Sequence, residues 1–230
     1  MQVAGVDGCP GGWVIVRVDA SEHLRLIDVS ISPTFLELVA STRDCIAVGI
    51  DVPIGLPDTK PRIADALARQ KLGPRRNSVF PAPYRRVIEA ATQNEASALS
   101  RAIDGKGVSA QNFAFIKAKV REANHYMTPA LQERISEVHP EVCFLALNEN
   151  VPLLGGKKSP AGALQRIGLI KNVLDFELEQ TVVAGKVALD DFLDACAAAW
   201  TAGRIACGTA ERLPPDPDLD STGLRMEIVY

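Results

Sequence analysis

Acidic residues at separate points along the chain have the type and spacing to hold divalent cations. Asp7 follows the apolar run Val3 to Val6, and Asp51 follows the apolar run Cys45 to Ile50. Asp191 and Asp194 sit near the start of a long amphipathic segment, three apart and so on one helical face. Mg or Mn prefers hard oxygen ligands in octahedral geometry. Two such ions about 4 Å apart activate water and stabilise the leaving oxygen in phosphodiester cleavage. Several carboxylates are needed to hold them, and a chain with three histidines offers little for zinc. Asp7, Asp51 and Asp194 are the expected ligands, with Asp191 the alternative on the helix. Asp7-Gly8 also suits a plain turn, and Asp191 also suits the positive end of a helix dipole. Asp51 is harder to explain by packing, because a buried unpaired carboxylate is costly.

Glu137 and His139 alternate onto one face of an expected strand. Glu137 is a candidate further ligand and His139 a candidate proton shuttle, against the simpler reading of a strand-end ion pair. Arg62, Arg69, Arg75, Arg76, Arg85 and Arg86, with Lys157 and Lys158, are candidates for a phosphate-binding face, and Tyr84 for stacking on a base. The simpler reading is a solvated helical surface. Cys9 lies beside Asp7 in a tight loop but has no paired base to make it a nucleophile.

The elements that must position these residues follow from hydrophobic period and turn chemistry. Val3 to Val6 and Trp13 to Val18 read as strands around the loop Cys9-Pro10-Gly11-Gly12. Leu24 to Ile31 reads as a third, joined to the second as an antiparallel hairpin through Ser21-Glu22. Thr34 caps a short helix containing Phe35, Leu36, Leu38 and Val39. Cys45 to Ile50 has the unbroken apolar character of a central parallel strand. Asp7 and Asp51 then stand at the carboxyl ends of strands, where open α/β sheets bind ligands. Residues 58 to 130 are polar, Arg-rich and mostly helical in pattern, as an insertion on the sheet. Ile135 to Leu147 reads as a strand, Ala161 to Val173 as a helix, Val187 to Cys207 as a strong amphipathic helix, and Leu224 to Val229 as a last strand.

A chain of 230 residues with 47% hydrophobic and 23% charged residues is long enough for one large core. A formal net charge of -3 argues against indiscriminate nucleic-acid binding but not against a local basic patch. Five cysteines without a CxxC pair, and a first segment that goes straight into a strand, point to reduced thiols and a cytoplasmic protein. No segment is apolar enough to span a membrane.

The pieces Gly5-Val6-Asp7-Gly8-Cys9-Pro10-Gly11-Gly12-Trp13, Gly49-Ile50-Asp51-Val52-Pro53-Ile54-Gly55-Leu56-Pro57 and Glu137-Val138-His139-Pro140-Glu141 carry a family resemblance. So do Ser159-Pro160-Ala161-Gly162 with Arg166, Asp190-Asp191-Phe192-Leu193-Asp194-Ala195 and Gly223-Leu224-Arg225-Met226-Glu227-Ile228. Together they resemble the family called domain of unknown function 429, described as predicted ribonuclease-H-like nucleases. The resemblance implies a single ribonuclease-H-like α/β domain over residues 1–230, a mixed sheet flanked by helices with the helical insertion (about 58–130) after the fourth strand. It implies catalytic carboxylates on the first strand, the fourth strand and the last helix, here Asp7, Asp51 and Asp191 or Asp194. Asp191-x-x-Asp194-Ala is similar to the closing motif of Holliday-junction resolvases of that fold. Those resolvases carry Glu on the fourth strand, where this chain has the shorter Asp51.

The expectation is therefore a Mg- or Mn-dependent nuclease-type hydrolase acting on DNA or RNA. Two alternatives stand beside it. One is an actin-like-fold phosphotransferase, with Asp7-Gly8-Cys9-Pro10-Gly11-Gly12 and Asp51-Val52-Pro53-Ile54-Gly55 as phosphate loops. The other is a non-catalytic protein that binds nucleic acid or a partner. The oligomeric state, a homodimer included, is left open.

Overall fold

A computed structural model describes residues 1–176 and 187–230. Its first half reads β1 (Gln2–Cys9), β2 (Gly12–Asp19), β3 (Leu24–Ser32), α1 (Phe35–Ser41) and β4 (Ala47–Ile50). Thr34 caps α1 by accepting from the Glu37 N–H, as its sequence position predicts. β1 pairs antiparallel with β2 and parallel with β4, and β2 pairs antiparallel with β3. With β5 (Ile135–Glu137) and β6 (Leu174–Asp175), these strands form a mixed six-stranded sheet in the order β5-β4-β1-β2-β3-β6. The expected α/β class with a mixed sheet flanked by helices is present, and its order is consistent with a ribonuclease-H-like fold. β7 (Arg212–Leu213) and β8 (Ile228–Val229) form a small antiparallel pair.

Between β4 and β5 the chain is helical: α2 (Ile63–Leu72), a 3-10 turn at Gly73–Ser78, α3 (Arg85–Ile88), α4 (Gln93–Asp104), α5 (Ala110–Phe115), α6 (Arg121–Tyr126) and α7 (Pro129–Gln132). A π turn, Ile116–Val120, joins α5 to α6. Glu122 of α6 ties this region to the sheet by accepting from Trp13 Nε1 at 3.1 Å and from the Phe35 N–H at 2.8 Å.

Two expectations need correcting. The strand predicted over Ile135 to Leu147 is only Ile135–Glu137, and the rest is α8 (Pro140–Leu147). Pro140 is the reason: it lacks an N–H for a central ladder but suits the first helical turn. His139, expected on a strand face, is therefore the N-cap of α8. The last strand, predicted over Leu224 to Val229, is only Ile228–Val229. After α8 come α9 (Pro160–Lys171) and α10 (Leu189–Ala206).

Alternation along the strands sorts the core into two layers. Val14, Val16 and Val18 of β2 face α8, α9 and α10, while Trp13 and Ile15 face α1 and the inserted helices. On the first face, α10 lies with its backbone against the sheet. A Cβ on Gly5 would fall 2.0 Å from the Ala195 carbonyl oxygen and 2.1 Å from the Ala199 nitrogen. A Cβ on Gly49, the register partner of Gly5 on β4, would fall 2.7 Å from the Ala198 oxygen. Ala195, Ala198, Ala199 and Ala202 are the helix's side of that contact, all fully buried. Among the described residues no helix is long and apolar enough to cross a membrane.

Because every atom a Gly5 Cβ would meet is backbone, the helix itself must move to admit it. Gly5→Ala is expected to cost about 3 kcal/mol or more, the upper range for overpacking. A melting temperature within 2 °C or so of wild type contradicts this docking.

Candidate acidic site at the sheet edge

The register that pairs Gly5 with Gly49 also pairs Val6 with Ile50, so Asp7 and Asp51 leave the sheet side by side. The Asp51 N–H continues the ladder by donating to the Val6 carbonyl at 3.0 Å. Each aspartate lies two residues beyond its glycine, on the same strand face, and that face is covered by α10. The helix runs antiparallel to these strands, and Asp194 lies directly before the Ala195 turn that rests on Gly5. Asp7, Asp51 and Asp194 therefore share one desolvated space, with Asp191 one turn farther out and half-buried. Expected from their spacing alone, these four residues are brought together by the fold.

The electrostatics record that crowding. Burial, then the charges of Asp51 and Asp194, hold the Asp7 carboxyl well above its ordinary value. Burial and the charge of Asp194 push Asp51 up to about 8. Burial pushes Asp194 up to about 6, with Lys157 pulling the other way. Asp191 is also raised, by burial and the neighbouring Asp190. The Gly8 N–H donates to Asp7 Oδ1 at 2.7 Å, which holds that side chain at the mouth of the loop.

The cation in this space is Lys157, whose Nζ donates to Asp194 Oδ2 at 2.6 Å and lies 3.8 Å from Asp190. Lys158 is exposed and lies 3.9 Å from Asp190. Among the described residues, no three His, Cys, Asp or Glu side chains are arranged in this conformation to hold a metal ion. The donors are hard oxygens of the right type and in excess of positive charge, so they suit Mg or Mn chemically. The arrangement on display holds an ammonium in its place.

Other predicted site residues lie elsewhere in the charge network. Glu137 is buried and accepts from both Nη atoms of Arg62 at 2.7 Å. The same guanidinium donates to Asp65 at 2.6 Å and to the Ile54 carbonyl at 3.0 Å. Arg62 is thus a buried fastener between β5, α2 and the loop after β4, and its donors are taken. The expectation that Glu137 is a ligand and Arg62 a phosphate contact gives way to an ion network built of both. Arg75 meets Glu141 through two bonds of 2.9 and 3.0 Å, and Arg166 meets it at 2.6 Å. Burial pulls the Glu141 carboxyl upward, but these two guanidinium groups hold it below its ordinary value. Both arginines also donate to the Gly155 carbonyl, which fastens the turn that carries Lys157. Arg69 donates to the Val79 carbonyl at 2.8 Å, and Arg85 is paired with Asp220. Of the expected basic face, Arg62 is buried in its ion pairs, Arg75, Arg85 and Lys157 are part-buried and paired with carboxylates, and Arg76, Arg86 and Lys158 remain exposed.

His139 lines the same cavity as Asp7 and Asp51, with a buried Nδ1 that has no hydrogen-bond partner among the described residues. Burial holds its imidazole below the ordinary value, in the neutral form. Tyr84, expected to stack on a base, is 5% exposed and donates its hydroxyl to Asp104 at 3.1 Å. The aromatic rings that do reach solvent at the cavity are Phe80 and Phe115. Two features escaped the sequence reading. One is the repeated glycine-x-aspartate of Gly5-Val6-Asp7 and Gly49-Ile50-Asp51, which encodes helix docking and carboxylate placement together. The other is Arg166, whose internal partner nothing in its local sequence names.

The family described as "Protein of unknown function (DUF429)" matches residues 5–219 of the chain. No curated protein and no solved structure matches it.

Asp51 keeps its proton to about 8 in the fold but releases it near its ordinary value of 3.8 when unfolded. Stability from this group is present at low pH and is lost as pH rises from about 3.8 through about 8. Asp51→Asn is expected to raise the metal-free melting temperature by about 3–5 °C at pH 8.5, with a smaller gain at pH 5. A lower melting temperature for the variant at pH 8.5 contradicts the crowding. Arg62→Met, in contrast, strands Glu137 and Asp65 and should cost about 3–5 kcal/mol in chemical denaturation; a change under 1 kcal/mol or so would mean the network is not load-carrying.

Proposed function

The chain belongs to the DUF429 family, and for it we propose a divalent-metal-dependent phosphodiesterase of the nuclease type. The observation that carries this reading is the convergence of Asp7, Asp51 and Asp194 in one desolvated space, where burial raises all three carboxyls and the charge of Asp194 raises both Asp7 and Asp51 further. A purely structural cluster of this kind is a net cost, and proteins retain such costs at working sites. Asp7, Asp51 and Asp194 are the residues that would hold the metal, with the half-buried Asp191 beside them.

Mg or Mn held there would supply electrophilic stabilisation of a phosphate and lower the pKa of attacking water. The chain's own residues account for the rest. Asp194 must release Lys157 to accept a dication, and the freed ammonium remains beside the site as a partner for a phosphate oxygen. Arg75 and Arg166 hold the Gly155 turn so that Lys157 stays near after it lets go. The neutral imidazole of His139, lining the same cavity, is suited to take or give a proton at the substrate. The nucleic-acid partner, DNA or RNA, is part of this proposal.

Two measurements test it. Mn²⁺ at millimolar concentration should raise the wild-type melting temperature by several degrees, about what binding well above Kd gives, and Asp7→Asn should abolish the rise. The same variant should lose at least about 10²-fold in Mn-dependent cleavage, since charge stabilisation worth several kcal/mol goes with the ligand. Intact Mn-dependent cleavage by pure Asp7→Asn protein would falsify the assignment.

A further inference from the structure

The cavity above the carboxylates has a volume of about 730 Å³, the size of a small-molecule site. Asp7, Asp51 and Asp194 are among its lining residues, and the inserted segment between β4 and β5 supplies most of the rest. Two large rings stand in water on that lining: Phe80, 62% exposed, and Phe115, 42% exposed. A flat apolar face left exposed beside a charged centre is what a nucleobase covers, because every base has a π-face. Phe115 also directly precedes the π turn Ile116–Val120, and such irregular turns recur at functional sites.

The cations argue about what kind of nucleic acid fits. A duplex carries a dense track of phosphates, and proteins that grip it display a matching track of free Lys and Arg. Here Arg62, Arg75 and Arg85 are committed to Glu137, Glu141 and Asp220. Lys157 is committed to Asp194. Among the described residues lining the cavity, Lys106 is the one cation that makes no ion pair. Lys106, joined by Lys157 once Asp194 releases it, is too little free charge at a small, aromatic-lined chamber to suit a rod of paired bases.

Resting on the phosphodiesterase reading, we propose that the chamber takes a single unpaired nucleotide unit, its base on Phe80 and Phe115 and its phosphate toward Asp7 and Asp51, and excludes duplex. The unit is either a free nucleotide or the end of a single strand. Asp7 and Asp51 govern the reacting phosphate, while the two phenylalanines select for an unpaired base.

Equilibrium binding in Ca²⁺, read by fluorescence anisotropy, separates these cases. The probes are a labelled five-residue single strand and a labelled blunt hairpin duplex, with unlabelled mononucleotide as competitor. The single strand should bind at least tenfold tighter than the duplex. Phe115→Ala and Phe80→Ala should each weaken strand binding by about tenfold while leaving the protein folded, because neither residue belongs to the buried core. Competition by the mononucleotide assigns the chamber to free nucleotides, and failure to compete assigns it to strand ends. Equal binding of duplex and strand, no binding of either, or phenylalanine variants that bind like wild type each overturns the chamber. Wild-type protein that binds the strand in this way but does not cleave it in Mn²⁺ leaves the chamber standing and removes the phosphodiesterase reading instead.

Discussion

The backbone of α10 rests directly on Gly5 and Gly49, and most of what is distinctive in this molecule depends on that contact. Two neighbouring parallel strands carry no side chain at one level, so a helix can approach them to within backbone packing distance. The alanines of α10 keep its own side of the contact thin. Two residues farther along each strand the side chain is an aspartate on the same face. The turn of helix just before the contact brings Asp194. Close packing and carboxylate crowding are thus one geometric event, and neither is obtained without the other.

The crowding would be untenable without compensation. Burying several carboxylates in one space is costly unless cations neutralise them or protons remain bound. The fold uses both routes: Lys157 reaches Asp194, and Asp7 and Asp51 hold protons more tightly than usual. The arginines are spent on a different task. Arg62 joins β5 to the loop after β4 through Glu137, and Arg75 with Arg166 joins α8 to the Gly155 turn through Glu141. These networks lock the two chain segments that border the acidic space, the one after Asp51 and the one carrying Lys157. Buried ion pairs of this kind contribute little net stability compared with apolar packing, and their value here lies in fixing where the bordering loops run.

Much of the scaffold was legible because its signals are local. The apolar run before Asp51 announced a buried parallel strand, Thr34 announced a helix start, and the three-residue spacing of Asp191 and Asp194 announced a shared face. The failures are local too. Val142 to Leu147 is apolar enough for a strand or a buried helix, a choice that period alone does not make, and Pro140 decided it. Arg62 looked like a surface residue because Arg usually is, and Tyr84 could lie on either side because Tyr is intermediate; only the packing of α2 and the segment around Ala82 placed them inside.

The sequence by itself determined the α/β alternation, the position of Asp7 and Asp51 at strand ends, and the small-residue helix that carries Asp191 and Asp194. Hydrophobic period and turn chemistry act over a few residues, so they can be read without the fold. Tertiary structure alone decided which charges meet. That Lys157 sits on Asp194, that Glu137 is closed by Arg62 and that Phe80 and Phe115 stay in water are outcomes of contacts between residues 35 or more positions apart in the charge pairs. Coulomb and desolvation energies depend on distance and burial in three dimensions, and the order of residues along a chain contains neither directly.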